Sequence, residues 1–267
     1  MKNSATHSPH RTLCAIVPAA GRGTRLGAEA PKVFVPLSST AMIWNVLHDA
    51  LAPLADKIVL VLSPEGRAYL EKNRAAFSVE SFDKTEIALQ PEPLGMGHAI
   101  FGTSNLWLDF DNLLIVWGDQ VNISRKTLAA CLALHATGIG PHLTLPVVRQ
   151  TNPYVEYIFD GDQLVKVRQS REGDACAPNG FSDVGVFLLS SGEALPAEWD
   201  RYRAATAGGS VTGEINFLPF LAHLSMVARW PVNRYETKDP AEAIGINTPE
   251  ELALARERQA NKGGTNS

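Results

Sequence analysis

The chain has 267 residues and a mass of 28.9 kDa, is 45 % hydrophobic and 19 % charged, and carries a formal net charge of −4. Ordinary contents of Gly (21) and Pro (17) exclude a collagen-like or wholly disordered chain, and the acidic balance disfavours nucleic-acid binding, for which basic charge must neutralise phosphates. Cys14, Cys131 and Cys176 form no CxxC pair, so neither a disulfide scaffold nor a zinc knuckle is expected and a reducing cytoplasm is the expected setting.

Residues 1–11 are polar, with no apolar signal-peptide core, and no stretch reaches the roughly 20 apolar residues of a membrane span. They read as a floppy leader, and 259–267 as a frayed tail, which leaves 12–258 as a single domain. Leu13-Cys14-Ala15-Ile16-Val17 opens the order as a short apolar run stopped by Pro18. Ile43, Val46, Leu47, Ala50 and Leu51 then share one helical face. Lys57–Leu62, closed by Ser63-Pro64, and Leu113–Trp117, closed by Gly118-Asp119, repeat the apolar run. Such runs suit strands buried on both faces, as in a parallel sheet. Leu128, Cys131, Leu132 and His135 share another helical face.

Further on, 154–159 and 163–168 flank Asp160-Gly161-Asp162, a hairpin signal. Ser182–Leu189 reads as one more strand. Thr248 followed by Pro249-Glu250-Glu251 reads as an N-cap, a proline at the first helical position and two carboxylates in the first turn. With no Pro/Ser/Gly-rich linker and no internal repeat, the pattern predicts an α/β layered fold: a Rossmann-like, three-layer, mixed but mostly parallel sheet with helices on both faces.

Directly after the first strand stands Pro18-Ala19-Ala20-Gly21-Arg22-Gly23-Thr24-Arg25-Leu26-Gly27, with Pro31-Lys32 a few residues on. Small residues let backbone N–H groups approach an anion, and Arg25 and Lys32 bring positive charge to it. A Walker A loop requires G-x-x-x-x-G-K-[ST], and a dinucleotide fingerprint requires a third glycine where Thr24-Arg25-Leu26 stands. Neither fits. A solvated glycine turn remains the plain alternative for the glycine pair alone.

Taken with its surroundings, Ala19-Ala20-Gly21-x-Gly23-Thr24-Arg25-Leu26 followed by Pro31-Lys32 resembles the signature of sugar-phosphate nucleotidyltransferases, the nucleoside-diphosphate-sugar pyrophosphorylases. Gln90–Ala99 resembles the nucleobase segment of the uridylyltransferase domain of bacterial UDP-N-acetylglucosamine pyrophosphorylases. Val116-Trp117-Gly118-Asp119 resembles that domain's metal-binding strand end, Gly213-Glu214-Ile215 its late Gly-Glu element, and Gly245-Ile246-Asn247-Thr248 the segment of its second metal ligand. The resemblance spans about 13–258. It implies a nucleotide-binding half over about 12–120 and an acceptor-binding half over about 121–258.

It also implies roles. Arg25 and Lys32 are the catalytic cations, and Ala19, Ala20, Gly21, Gly23, Thr24, Gln90, Gly95 and Met96 contact the nucleotide. Asp119 and Asn247 hold Mg²⁺, whose preference for hard oxygen ligands such a pair satisfies. Trp117, Tyr154, Gln169, Asp183 and Glu214 face the acceptor. Gln90 presents both an acceptor and a donor, which suits the N3–O4 edge of uracil and, rotated, cytosine. Met96 stands where the family often has threonine, and His98 is assigned no chemical role. Asn247 has a structural alternative, shaping the turn into the last helix.

The implied reaction is attack of a phosphate oxygen on the α-phosphorus of a nucleoside triphosphate, UTP or CTP foremost, with release of pyrophosphate. A phosphate with a second pKa of about 6 needs no general base. The acceptor pocket departs from the N-acetylglucosamine pattern: Trp117 replaces a tyrosine, Pro153-Tyr154-Val155-Glu156 replaces Gly-Tyr-Gly-Arg, Gln169 a glutamate, and Asp183-Val184-Gly185 an Asn-Thr-Gly. A different acceptor follows, whether another sugar 1-phosphate or, as the alternative, a phosphonate or polyol phosphate taken by a cytidylyltransferase. No hexapeptide-repeat domain is present in the chain, so acetyl transfer is not expected. Two readings of other classes compete: a nicotinamide-dependent oxidoreductase, and a nucleotide-sugar-binding regulatory protein without catalysis. Partners are the nucleoside triphosphate and a phosphorylated small molecule, with neither nucleic acid nor membrane and with homo-oligomerisation left open.

Overall fold

Strand β1 (Leu13–Pro18) is buried along its length, and its side chains alternate between two cores, Leu13, Ala15 and Val17 on one face and Cys14 and Ile16 on the other. In a computed structural model, which describes residues 11–21, 26–27 and 30–263 (side chains of 261–263 excepted), this strand lies inside a ten-stranded mixed sheet. Helix α1 (Ile43–Leu51), β2 (Lys57–Leu62), α2 (Pro64–Lys72), β3 (Thr85–Leu89), α3 (Met96–Phe101) and β4 (Asn112–Val116) complete its first half. There the strands run parallel in the order β3-β2-β1-β4. The expected runs at 13–17, 57–62 and 113–117 are β1, β2 and β4.

The second half holds α4 (Arg125–His135), β5 (Leu143–Thr151), β6 (Val155–Asp160), β7 (Gln163–Gln169), β8 (Asn179–Asp183), β9 (Val186–Ser190), α5 (Ala194–Ala205), α6 (Phe217–Met226), β10 (Val232–Glu236) and α7 (Pro249–Gly263). The sheet continues β4-β9-β5-β8-β6-β7, with antiparallel pairs throughout, and β10 pairs parallel with β5. Residues of α1, α2, α4 and α7 line one core, and those of α3, α5 and α6 line the other. Helices thus cover both faces, the expected three layers.

The hairpin forms as expected, with Gly161 at φ +55° between β6 and β7. The single strand expected over 182–189 is instead two strands. Gly185 takes φ +70°, and a Cβ there would stand 2.9 Å from Trp117 Cδ1, so the chain bends to make room for the indole. At the last helix Thr248 caps as expected. Its hydroxyl accepts from Glu251 N at 3.2 Å while Glu251 Oε2 accepts from Thr248 N at 2.9 Å, the two halves of a capping box.

Candidate active site

The carboxyl ends of the adjacent strands β1 and β4 carry the two loops singled out above, at the sheet edge where open α/β sheets bind ligands. They approach closely: a Cβ on Gly118 would stand 2.9 Å from Pro18 O and 3.1 Å from Ala19 Cβ. Ala19 is tied back to β2, its N–H donating to Val61 O at 2.8 Å. Ala20 is buried and Gly21 exposed. Gly23, Thr24 and Arg25 lie outside the described residues.

Lys32 begins a 3-10 turn whose next two residues, Val33 and Phe34, are sunk in the core. Its ammonium donates to Asp119 Oδ2 at 2.9 Å and to Asn247 Oδ1 at 2.8 Å. Three residues separated by 87 and 215 positions thereby meet at one point. The main chain bearing these oxygens is held from behind. Asp119 O accepts from Ile246 N at 3.2 Å, and a Cβ on Gly245 would stand 3.1 Å from the Asp119 carboxyl carbon. Asn247 N donates to Glu251 Oε2 at 2.6 Å, so the capping box that starts α7 also fixes the loop bearing Asn247. One carboxylate and one amide oxygen converging on a cation form a hard-oxygen pair, and such a pair fits Mg²⁺ with waters and phosphates completing the shell.

Gln90 follows β3, its N–H donating to Leu62 O at 2.8 Å. Its side-chain Nε2 donates to Gly95 O at 2.9 Å and lies 3.3 Å from His98 Nδ1. A carbonyl can only accept, so the amide nitrogen is committed to it and the amide oxygen is what remains to meet a ligand. The sequence, which shows only a residue type, offered both edges. It also left His98 without a role, whereas here the ring helps set the amide. Met96, at the start of α3, is 36 % exposed.

Directly after β4, Trp117 is half-buried between two rings of the second half, Phe187 (ring centroids 4.7 Å apart) and Phe217 (5.7 Å). Asp183 is half-buried at the end of β8, with Oδ1 accepting from Gly185 N at 2.7 Å. Burial pushes its carboxyl up to about 6, against the pull of the Gly185 N–H and with a further push from Asp119. Strand alternation places Gln169, Val155, Tyr157 and Asp183 on one face of the sheet. Glu214 packs against Gly95, where a Cβ would stand 3.1 Å from Glu214 Oε2, and pairs with Arg171 at 3.0 Å. The loop carrying Glu214 is tied down by Glu172, which accepts from Thr212 Oγ1 at 2.7 Å and Val211 N at 3.0 Å; these bonds, the hydroxyl first, hold its carboxyl down to about 2. Tyr154 points to solvent, 56 % exposed.

Around the candidate site, the sequence reading did not single out Arg171 or Glu172, gave His98 no role, and took Glu251 only as a first-turn carboxylate. Glu251 alone carried a signal, its position three residues after Thr248. The phenol of Tyr157 is buried without a hydrogen-bond partner among the described residues.

Residues 15–180 match the model of the MobA-like NTP transferase domain. Bifunctional protein GlmU of Bradyrhizobium diazoefficiens is 30 % identical over 252 residues, covering 92 % of this chain and 52 % of that protein. Its counterpart from Thermotoga sp. is 28 % identical over 255 residues, covering 91 % and 51 %. The chain therefore spans about half the length of the curated relatives it matches. A crystal structure of HddC from Yersinia pseudotuberculosis complexed with GMP-PN superposes with a TM-score of 0.62 at 18 % identity, over 92 % of this chain and 99 % of that one, a likeness of fold.

Proposed function

The chain belongs to the MobA-like NTP transferase family, and from that premise we propose that it transfers a nucleoside monophosphate from a pyrimidine triphosphate, UTP or CTP, to a phosphorylated acceptor such as a sugar 1-phosphate. The observation that carries this reading is the meeting of Lys32, Asp119 and Asn247 beside the Ala19–Gly21 loop. An acceptor phosphate oxygen forms a bond to the α-phosphorus as the bond from that phosphorus to the bridging oxygen breaks, and pyrophosphate leaves. No proton need be removed from a phosphate already ionised at neutral pH. The task of the protein is in-line placement and neutralisation of like charge.

Lys32 supplies a point charge for the triphosphate, joined by Arg25 and by amides of the glycine loop. Asp119 and Asn247 would hold Mg²⁺, which supplies charge neutralisation at the transferring phosphoryl group. Gln90 offers its amide oxygen to a base N–H, which uracil N3–H and the cytosine amino group both provide. Trp117, Gln169, Asp183 and Glu214 shape the acceptor side, where a sugar phosphate and a polyol phosphate or phosphonate remain the candidate classes.

A matrix of nucleoside triphosphates against phosphorylated acceptors, read by coupled pyrophosphate detection, tests the proposal. The expected result is acceptor-dependent pyrophosphate release with a pyrimidine triphosphate and Mg²⁺, abolished by Asp119→Ala. Release in no cell of the matrix, or release indifferent to that substitution, overturns it.

A further inference from the structure

We infer that the Lys32 ammonium and the divalent cation compete for one position, so that Lys32 must let go of Asp119 and Asn247 before the cation can bind there. The inference rests on the reading of Asp119 and Asn247 as metal ligands and goes on to the order in which that site is filled.

The geometry is specific. Lys32 Nζ stands 2.9 Å from one oxygen and 2.8 Å from the other, at the point toward which both are aimed. Mg²⁺ would sit about 2.0–2.1 Å from each ligand oxygen. Two cations cannot share that space, because both their volumes and their charges exclude each other. The main chain that carries the two oxygens is the fixed partner: the Asp119 carbonyl accepts from Ile246 N, Gly245 lies close against the Asp119 carboxyl group, and Asn247 N donates to Glu251. The ammonium is the movable one. Val33 and Phe34, at 1 % and 0 % exposure, anchor the backbone beside it, while the Lys32 side chain is 23 % exposed and its four-carbon stem lets the charge swing without moving the chain.

When the ammonium leaves, it needs another anion. Within this cleft the triphosphate is the partner its chemistry suits, so nucleotide binding draws Lys32 away and opens the oxygens to the metal. Coupling of this kind is reciprocal: metal and nucleotide favour each other's binding through the lysine, beyond any direct contact between them. Metal alone, in the absence of nucleotide, is correspondingly held off.

Mn²⁺ binding to the whole protein without nucleotide, followed by the loss of the free-ion paramagnetic resonance signal, tests this. Lys32→Met keeps the stem and removes the charge, and Lys32→Ala provides a second neutral variant should the first misfold, which circular dichroism reports. Both neutral variants are expected to bind Mn²⁺ at least about tenfold more tightly than the unaltered protein, the scale of losing a charged competitor with two hydrogen bonds, while Lys32→Arg is expected to stay weak. Equal or weaker binding in the neutral variants overturns the inference. Asp119→Asn separates it from the reading beneath it. If that change weakens Mn²⁺ binding while Lys32→Met leaves it unchanged, the metal site stands and the competition falls. If the gain in Lys32→Met survives added Asp119→Asn, the cation is bound elsewhere and both fall.

Discussion

Asp183→Asn is expected to stabilise the protein while weakening acceptor use. The carboxyl of Asp183 ionises near 6 in the folded chain instead of near 3.8, chiefly because it is partly withdrawn from water, with Asp119 adding to the effect. Below pH 3.8 both folded and unfolded chains keep the proton, so the group contributes nothing. Between 3.8 and 6 the folded chain holds a proton that the unfolded chain has released, so stability falls as pH rises, and above 6 the full cost is present. That cost is about 3 kcal/mol before screening, and about 2 kcal/mol once the partial exposure of the group is allowed for. Asparagine keeps an oxygen for the Gly185 N–H and removes the charge. Urea unfolding of both proteins from pH 3.5 to 8 should give matching stabilities at the acid end and an advantage for the variant that grows to about 2 kcal/mol by pH 7, roughly 5 °C in Tm. In the same variant the KM for the acceptor should rise while that for the triphosphate holds. A variant that is less stable at pH 7, or whose curve parallels the unaltered protein, refutes the assignment of Asp183 as an unneutralised carboxylate kept at the site.

Lys32→Ala and Asp119→Ala should each lower kcat by about 10²–10³, the scale of losing one preorganised charge at a reacting centre, with little change in Tm; near-normal turnover in both would end the proposed mechanism. Gly97→Ala should destabilise by about 1–3 kcal/mol through overpacking, because its Cβ would enter the ring of Trp199 in α5; an unchanged unfolding midpoint would show that this helix contact yields freely. Glu251→Ala should cost about 1 kcal/mol by loss of the helix cap and, by loosening the loop that bears Asn247, weaken Mn²⁺ binding; calorimetry that finds only the stability loss would separate the cap from the site.

Legibility differed between the two halves for a physical reason. In the parallel half β1, β2 and β4 are covered on both faces, so Ala15-Ile16-Val17 and Ile58–Leu62 are continuous apolar runs that cannot be missed, whereas the edge strand β3 buries only Ala88 and carries no such run. Farther along, β10 buries only Val232 and is half-buried or exposed over the rest of its length at a sheet margin, and β5 carries Pro146 opposite Tyr235 and ends in Arg149-Gln150-Thr151. Helix α6 reads Phe-Leu-Pro-Phe-Leu, apolar nearly all round and interrupted by proline, which hides the helical period. The site divides similarly. Residue types and order pointed to Lys32, Asp119 and Asn247, yet nothing local says that a side chain near the start of the domain meets one near its end. The amide of Gln90 was legible as a recognition group, but its orientation depends on Gly95 O and His98, contacts that only the folded chain supplies.

Strand alternation also decides which departures in the acceptor half matter. Glu156 stands in the stretch that replaces Gly-Tyr-Gly-Arg, and by composition alone it is a new carboxylate for the pocket. In the fold it lies on the opposite face from Tyr157, buried, with Oε2 accepting from Ala177 N at 3.0 Å and pairing with Arg168 at 3.3 Å. A carboxylate already satisfied by a guanidinium and an amide has little left to offer a ligand. Glu214 is likewise matched by Arg171. Asp183 differs: among the described residues no cation pairs with it, and it shares its sheet face with Gln169 and with the unpartnered Tyr157 hydroxyl. A partly buried carboxylate without a counter-ion is costly, and the cost is relieved by a ligand that donates a hydrogen bond to it. On the proposed acceptor role of Asp183, a carboxylate where the family it resembles has an amide favours acceptors that carry a hydrogen-bond donor at that end, and an acceptor lacking one is expected to give no release in the coupled pyrophosphate assay.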